Sequence, residues 1–255
     1  MGPRYDDCLG LSDAPSGPLP APGRRGRGGR AGRPIDVGPV RPPLPGPVPW
    51  LAIAQAEARR FHGLREADIQ VQRNYAREVG TGRTSMVGSE NAWCAAFANW
   101  CLREAGFAIE NAGWFDHAGA LGRAMGFLQV AGPGSDKSHV VSATNPLYRR
   151  LQQPCVGAIA VVPRSSGAGW HVGFAVGMAS PTDVVLLGGN QDDRVCYAAN
   201  PVQVGSGAHV RKATFCLPEA YLDGPPQAEA AWGVVSVAAL NTGVGIGGAV
   251  GSGTT

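Results

Sequence analysis

Glycine and proline are distributed very unevenly along this 255-residue chain, which limits where a folded domain can lie. Residues 1–49 contain 10 glycines and 12 prolines, and residues 243–253 contain 6 glycines. Proline removes backbone donors and glycine raises the entropy cost of ordering, with few apolar side chains to offset either. We predict a disordered Gly/Pro/Arg-rich leader over residues 1–47, a folded domain over residues 48–225 and a Gly/Val-rich flexible tail over residues 226–255.

The basic excess of the chain lies entirely in the predicted leader. Residues 1–47 hold seven arginines and four aspartates, and the rest of the chain holds 15 basic and 15 acidic residues. A neutral folded body gives no electrostatic reason to expect nucleic acid as a partner. The run from Arg24 to Arg33 is interpreted as a solvated tail, with contact to phosphates or an anionic wall polymer as the alternative.

Neither a membrane span nor a standard export signal is visible in the sequence. No stretch of 18 or more apolar residues occurs, so we expect no transmembrane helix. Residues 1–10 lack the apolar segment of a secretory signal, and no such segment follows the pair Arg24-Arg25, as twin-arginine export would require. We expect the protein to be made in the cytoplasm without a standard signal peptide and to leave the cell by another route.

Six scattered cysteines give little support for a disulfide framework or a metal site. No Cys-x-x-Cys pair occurs, so we predict no metal and no cofactor. Cys94 and Cys101 are seven residues apart, which on a helix separates them by about 10 Å, too far for a disulfide. Most of the cysteines are predicted to be small buried hydrophobic residues, and Cys94 is the exception.

Apolar periodicity predicts helices in the first half of the domain and strands in the second. Residues 50–61 and 92–107 have helical spacing, with residues 89–91 as candidate N-cap and Gly106 as the stop. One further short helix is expected between them. Short apolar or alternating runs separated by turn residues predict an antiparallel sheet; these runs are residues 156–162, 171–178, 184–187, 194–199 and 210–215. The fold class is therefore α+β, and residues 234–250 are either flexible tail or a weak docking segment.

Cys94 combines with two later residues into a candidate catalytic triad. The first turn of a helix favours a thiolate through free amides and the helix dipole, and a nearby imidazole completes a nucleophile–base pair. His171 starts a predicted strand and Asn190 ends the next one, where its carbonyl can orient the imidazole. Considered one at a time, each residue has a non-catalytic interpretation: Cys94 as a core cysteine, His171 as a strand-end histidine and Asn190 as a turn residue. Gln191 is the alternative orienting residue, although strand alternation turns it away.

Four motif blocks, which span roughly residues 49–217, resemble the CHAP and NlpC-like cysteine peptidases. The blocks are Trp93-Cys94-Ala95-Ala96-Phe97 with Asn99-Trp100-Cys101-Leu102 and Ala105-Gly106, then Gly157-Ala158-Ile159-Ala160-Val161, then His171-Val172-Gly173-Phe174, then Gly188-Gly189-Asn190-Gln191. The resemblance implies a papain-like fold whose nucleophile starts a helix packed on an antiparallel sheet. It also implies catalytic roles for Cys94 as nucleophile, His171 as base and acid, and Asn190 as orienting residue.

The resemblance implies hydrolysis of an amide bond in bacterial peptidoglycan, in the stem peptide or at its link to muramic acid. The expected setting is a phage lysin or a secreted antibacterial effector, which acts at the cell wall or in the periplasm. An effector would need an immunity protein as partner, and we expect a monomer. Two alternatives remain: a protease, deamidase or acyltransferase of the same fold acting on protein, and a non-catalytic wall-binding module that would not need Cys94.

Other polar and aromatic residues are weaker candidates. Asp116 and His117 form a possible ligand pair but have no third partner at suitable spacing, so surface or helix-cap roles are expected. Three isolated histidines are expected to be structural or exposed: His62, His139 and His209. Trp114 and Trp170 are candidates for lining a substrate groove, with packing as the favoured interpretation.

Overall fold

A computed structural model gives the architecture of the chain and describes residues 48–107, 123–131, 142–167, 169–222 and 232–245. The helices are α1 Pro49–Arg60, α2 Glu66–Gln72, α3 Tyr75–Glu78, α4 Cys94–Glu104, α5 Glu219–Leu222 and α6 Val237–Gly245. Short 3₁₀ turns lie at Ser89–Asn91, Ala124–Phe127 and Gly207–His209. Within the described part of the chain, no helix combines the length and apolar character needed to cross a bilayer.

In the segments that the structure describes, ten strands follow helices α1 to α4. They are β1 Gln129–Ala131, β2 Ser142–Thr144, β3 Tyr148–Arg150, β4 Ile159–Pro163, β5 Trp170–Ser180, β6 Asp183–Gln191, β7 Arg194–Pro201, β8 Gln203–Val204, β9 Arg211–Lys212 and β10 Thr214–Pro218. The main sheet has the order β3-β10-β4-β5-β6-β7, and its described pairings are all antiparallel. The predicted α+β class with an antiparallel sheet is therefore confirmed.

The two faces of the main sheet differ in side-chain size. Val172 and Phe174 of β5 lie on the face that packs with the aromatic residues of α1 and α4, in the larger core cluster. On the opposite face β5 contributes the small residue Ala175, in a separate cluster that also contains Ala160 and Leu186. This difference follows the alternation of bulky and bare residues along β5, since successive side chains of a strand point to opposite faces.

Helix α4 lies across β5 and β6 and contains the predicted nucleophile at its first position. It ends as predicted, because Gly106 adopts a φ of 82° and Phe107 donates its amide to the Leu102 carbonyl at 3.0 Å. The start differs from the prediction. The N-cap residue is Trp93, which makes no side-chain cap, and Ser89–Asn91 forms a 3₁₀ turn upstream instead.

The folded domain extends beyond residue 225, which corrects the predicted boundary of the tail. Residues 232–245 are ordered against the sheet: the Val235 amide donates to the Met178 carbonyl at 2.9 Å. The Asn241 side chain accepts from the Tyr197 amide at 2.9 Å and donates to the Tyr197 carbonyl at 3.0 Å. Leu240 is 5% exposed. This part of the Gly/Val-rich segment therefore docks on the domain, as the alternative interpretation expected.

Candidate active site

The Cys94 thiol lies at the first position of α4 and is buried, with 4% of the residue exposed. Burial raises the pKa of this thiol, because a thiolate loses its hydration there. The Arg164 charge acts in the opposite direction, as do the amides of Val172, Ala95 and Cys94 itself. The surroundings of the thiol therefore offer a cation and three backbone donors to a negative sulfur: two amides of the helix start, one amide of β5 and the charge of Arg164.

His171 is the second residue of β5 and is 5% exposed. Burial lowers its pKa to about 4, with a further contribution from the Arg164 charge, while a hydrogen bond with the Gln191 side chain raises it. The imidazole is therefore neutral at pH 7. Its Nε2 atom is buried and has no hydrogen-bond partner among the described residues, which is costly unless a further group is to engage it.

Cys94 and His171 are neighbours through the backbone, but the structure does not join them by a hydrogen bond. The amide directed at the thiol belongs to Val172, the residue that follows His171. His171 pairs with Val162 and shares its sheet face, whereas Val172 lies on the α4 face. The amide that contacts the thiol and the imidazole thus belong to adjacent residues of β5. The thiol and the imidazole therefore lie on opposite sides of that strand.

Gln191, rather than Asn190, contacts the imidazole. The pairing of β6 with β7 shifts register between Gly188 and Gln191, and Asn190 adopts a φ of 56°. This β-bulge breaks the strand alternation that turned Gln191 away from His171 in the sequence prediction. The Asn190 side chain makes no hydrogen bond within the described part of the chain, whereas Gln191 bonds to His171.

The Gln191 side chain is held rigidly at this position. Its Nε2 donates to the carbonyls of Leu186 at 3.1 Å and Cys196 at 2.5 Å, and its Oε1 accepts from Asn200 Nδ2 at 3.2 Å. Only 6% of the residue is exposed. Both amide hydrogens are therefore used by carbonyls, which presents the oxygen to hydrogen-bond donors.

Glu66 fixes the residue before the nucleophile, a contact that sequence reasoning missed. Its Oε2 accepts from Trp93 Nε1 at 3.1 Å and its Oε1 accepts from the Gly88 amide at 2.8 Å. Trp93 also lies directly over Gly189, where a Cβ would stand 2.3 Å from the indole. Glycine at this position allows the start of α4 to approach the end of β6 closely. No local sequence signal links Glu66 to Trp93, 27 residues later.

A cleft of about 1030 Å³ lies beside the edge strand β7 and reaches His171. Its lining includes His62, Arg164, Ser165, Ser166, His171, Asp183, Asn190, Gln191, Asp192, Arg194 and Asn241. The two arginines and two aspartates of this set balance in charge. Cys94 is absent from the described lining residues, so the cleft reaches the candidate base and not the candidate nucleophile.

The remaining predicted candidates add little to this site. His209 lies in an exposed 3₁₀ turn, and Trp170 packs against the core and under the Arg211 guanidinium, which supports its packing interpretation. Four others lie outside the described residues: Trp114, Asp116, His117 and His139. No group of three or more potential metal ligands occurs in the described segments.

Comparisons with protein-family models, curated proteins and solved structures find no match for this chain. The candidate site therefore rests on the residues and their geometry.

Proposed function

We propose that the domain is a papain-like cysteine hydrolase that cleaves an amide bond of bacterial peptidoglycan. One observation carries the proposal: a thiol at a helix start contacts the amide that follows a buried imidazole, and the Nε2 of this imidazole has no partner in the described parts of the chain. A neutral imidazole with a free nitrogen, next in sequence to the amide that contacts the thiol, is suited to accept the thiol proton once it reaches the sulfur.

The proposed reaction is acyl transfer through Cys94. His171 takes the thiol proton as sulfur attacks the substrate carbonyl, and the Cys94 amide donates to the oxyanion that forms. The imidazolium then protonates the leaving amine, and neutral His171 activates the water that releases the acyl group. Because the imidazole and thiol lie on either side of β5, the reaction requires His171 to turn toward Cys94 when substrate enters.

The substrate class and biological setting follow from the motif resemblance. We place the enzyme at the bacterial cell wall, as a phage lysin or as an effector with an immunity partner, and as a monomer. The absence of Cys94 from the cleft lining favours one competing function, a wall-binding module that uses the cleft and leaves the thiol idle.

The test incubates the full chain with isolated peptidoglycan of both Gram types and identifies released fragments by mass spectrometry. The wild-type protein is expected to release fragments, and Cys94→Ala is expected to lose at least about a thousandfold in rate. Cys101→Ala is the matched control, because Cys101 is another buried free thiol of the same helix.

Each result has a distinct meaning. Fragments that depend on Cys94 and survive Cys101→Ala establish the hydrolase, and their new termini name the bond. Fragments that persist in Cys94→Ala refute the assigned nucleophile. Intact peptidoglycan with rapid alkylation of Cys94 points to a protein substrate, while an inert Cys94 points to the binding module.

A further inference from the structure

Within the described residues, Arg164 is the arginine of the cleft lining that has no ionic partner. Arg194 lies 3.8 Å from Asp192, which also lies 3.8 Å from Arg65. Asp183 accepts hydrogen bonds from the hydroxyls of Ser180 at 2.6 Å and Thr182 at 2.9 Å. Arg164 has no carboxylate within ion-pair distance among the described residues.

The Arg164 side chain is nevertheless held in place. Its amide donates to the Gly169 carbonyl at 3.3 Å and its carbonyl accepts from the Gly167 amide at 2.9 Å, which closes the loop between β4 and β5. Its Nε donates to the Trp170 carbonyl at 3.3 Å. The terminal guanidinium nitrogens make no hydrogen bond within the described segments, so two donor nitrogens with four N–H groups stay available on a positioned cation.

This cation lies in the same cleft as the candidate base. Arg164 lines the cleft with His171, and its charge acts on both His171 and Cys94. An anion that pairs with Arg164 therefore lies in the cleft beside His171. The described cleft lining contains two arginines and two aspartates, so the cleft favours a ligand with one local negative group at Arg164 over a polyanion, which the aspartates would repel.

We propose that Arg164 forms a subsite for a carboxylate of the peptide substrate, next to the bond that is cut. The inference rests on the proposed function for the identity of that peptide. A guanidinium binds a carboxylate through two parallel hydrogen bonds, which fixes orientation as well as position. Occupation of the subsite places the adjacent amide toward His171 and neutralises the charge that opposes protonation of the imidazole.

The test compares soluble muropeptides released by a muramidase in two forms, native and with carboxyl groups converted to amides by carbodiimide and ammonia. Binding to the full-length Cys94→Ala variant is measured by calorimetry, since this variant holds the ligand without cleaving it. Native muropeptides are expected to bind about tenfold to a hundredfold more tightly than the amidated ones. Adding Arg164→Gln to the Cys94→Ala variant is expected to weaken the binding of native muropeptides by the same factor. It is also expected to abolish the preference for native over amidated muropeptides.

Two further variants control for folding and for general charge. Arg164→Lys keeps the charge without the paired donors, and is expected to retain a weaker preference for native muropeptides. Arg77→Gln removes an exposed arginine of α3 and is expected to change neither affinity. A preference that survives Arg164→Gln, or absence of muropeptide binding by the Cys94→Ala variant, overturns the subsite.

The alternative that Arg164 binds a phosphate group is tested by measuring the binding of purified teichoic acid. Tighter, Arg164-dependent binding of this polymer would overturn the carboxylate assignment in favour of a phosphate. Cleavage by the wild-type enzyme is scored separately. Equal cleavage of both muropeptide forms by Arg164→Gln and wild type refutes the subsite and leaves the hydrolase. Arg164-dependent binding without any cleavage refutes the hydrolase and leaves the subsite.

Discussion

The two ends of helix α4 each hold a buried cysteine, but the surrounding charges differ in sign. Burial raises the pKa of both thiols. At the start of the helix, Arg164 and three backbone amides act against this effect. Around Cys101, the Glu57 and Glu104 charges add to it and outweigh Arg73 and the Cys101 amide, so the pKa of that thiol lies well above its usual range. Within one helix, position relative to fixed charges separates a candidate nucleophile from an inert core cysteine.

The Cys101 end is built around a buried ionic cluster that ties α1, α3 and α4 together. The Tyr75 hydroxyl donates to Glu57 Oε2 at 2.5 Å, and Arg73 Nε lies 3.6 Å from the same oxygen. The Arg73 guanidinium also stacks over the Trp100 ring at 4.3 Å. Burial and the Glu57 charge both raise the pKa of Tyr75, so its hydroxyl remains a donor. This cluster is structural, because none of these groups lines the cleft.

The largest expected stability effect comes from removing the carboxylate of this cluster. Glu57→Ala leaves the Tyr75 hydroxyl and the Arg73 charge without their buried acceptor, which we expect to cost about 3–5 kcal/mol. Glu104→Ala, at an exposed carboxylate at the end of α4, is the control. Urea unfolding measures both free energies. A loss below about 1 kcal/mol for Glu57→Ala would mean that the cluster does not hold this end of the helix together.

The surroundings of the α4 start, where His171 lies in β5, are tested by the pH dependence of stability. Folding lowers the pKa of His171 from near 6.5 to about 4. Below pH 6.5 the unfolded chain therefore binds a proton that the native state does not. The contribution of neutral, buried His171 to the free energy of unfolding is complete above pH 6.5 and is lost as the pH falls toward 4. The expected loss is about 3 kcal/mol.

Measurement of unfolding free energy between pH 4 and 7 isolates this contribution. We expect the stability of His171→Gln to fall less steeply with acid than that of the wild-type protein. Because other carboxylates titrate in both proteins, the difference between the two curves is the quantity to compare. Parallel curves would show that His171 titrates with a normal pKa and is not buried in solution.

The sequence predicted the helices and strands of the core well, for physical reasons that are local. The periodicity of residues 92–107 and the alternation of β5 arise from burial of one face, and α4 and β5 appear where expected. The short strands β1, β2 and β3 lie outside the predicted runs, since three residues carry too little periodicity. Docking of α6 depends on side-chain contacts with distant strands, as at Asn241.

The sequence predicted which segments meet at the candidate site, but not which side chains contact each other there. The sequence identified Cys94 as a helix start and His171 as a strand start, and the structure brings these two starts together through Val172. The sequence predicted Asn190 beside the imidazole, whereas the structure has Gln191 there, because a β-bulge shifts the register of β6. Consecutive positive φ angles at Asp192 and Asp193 close the adjoining turn, and neither residue is the glycine that usually marks such turns.

Close approach of α4 to β6 gives a third test at the same end of the helix. A Cβ on Gly189 would stand 2.3 Å from the Trp93 ring and 2.7 Å from Phe97 Cβ. We expect Gly189→Ala to destabilise the protein by about 1–3 kcal/mol through overpacking. Gly233→Ala is the matched control, since its Cβ would meet no atom within 4 Å. Equal melting temperatures for the two variants would contradict the observed packing of the helix start.

The smallest expected effect separates Gln191 from Asn190 as the residue that acts on His171. Gln191→Glu places a carboxylate in contact with the imidazole and is expected to raise the pKa of His171 by about one pH unit. Asn190→Asp adds the same charge one residue earlier, beyond the bulge, and is expected to raise that pKa less. NMR titration of the His171 ring protons measures both shifts without substrate. A larger shift in Asn190→Asp would return the orienting role to Asn190 and would show that the bulge opens in solution.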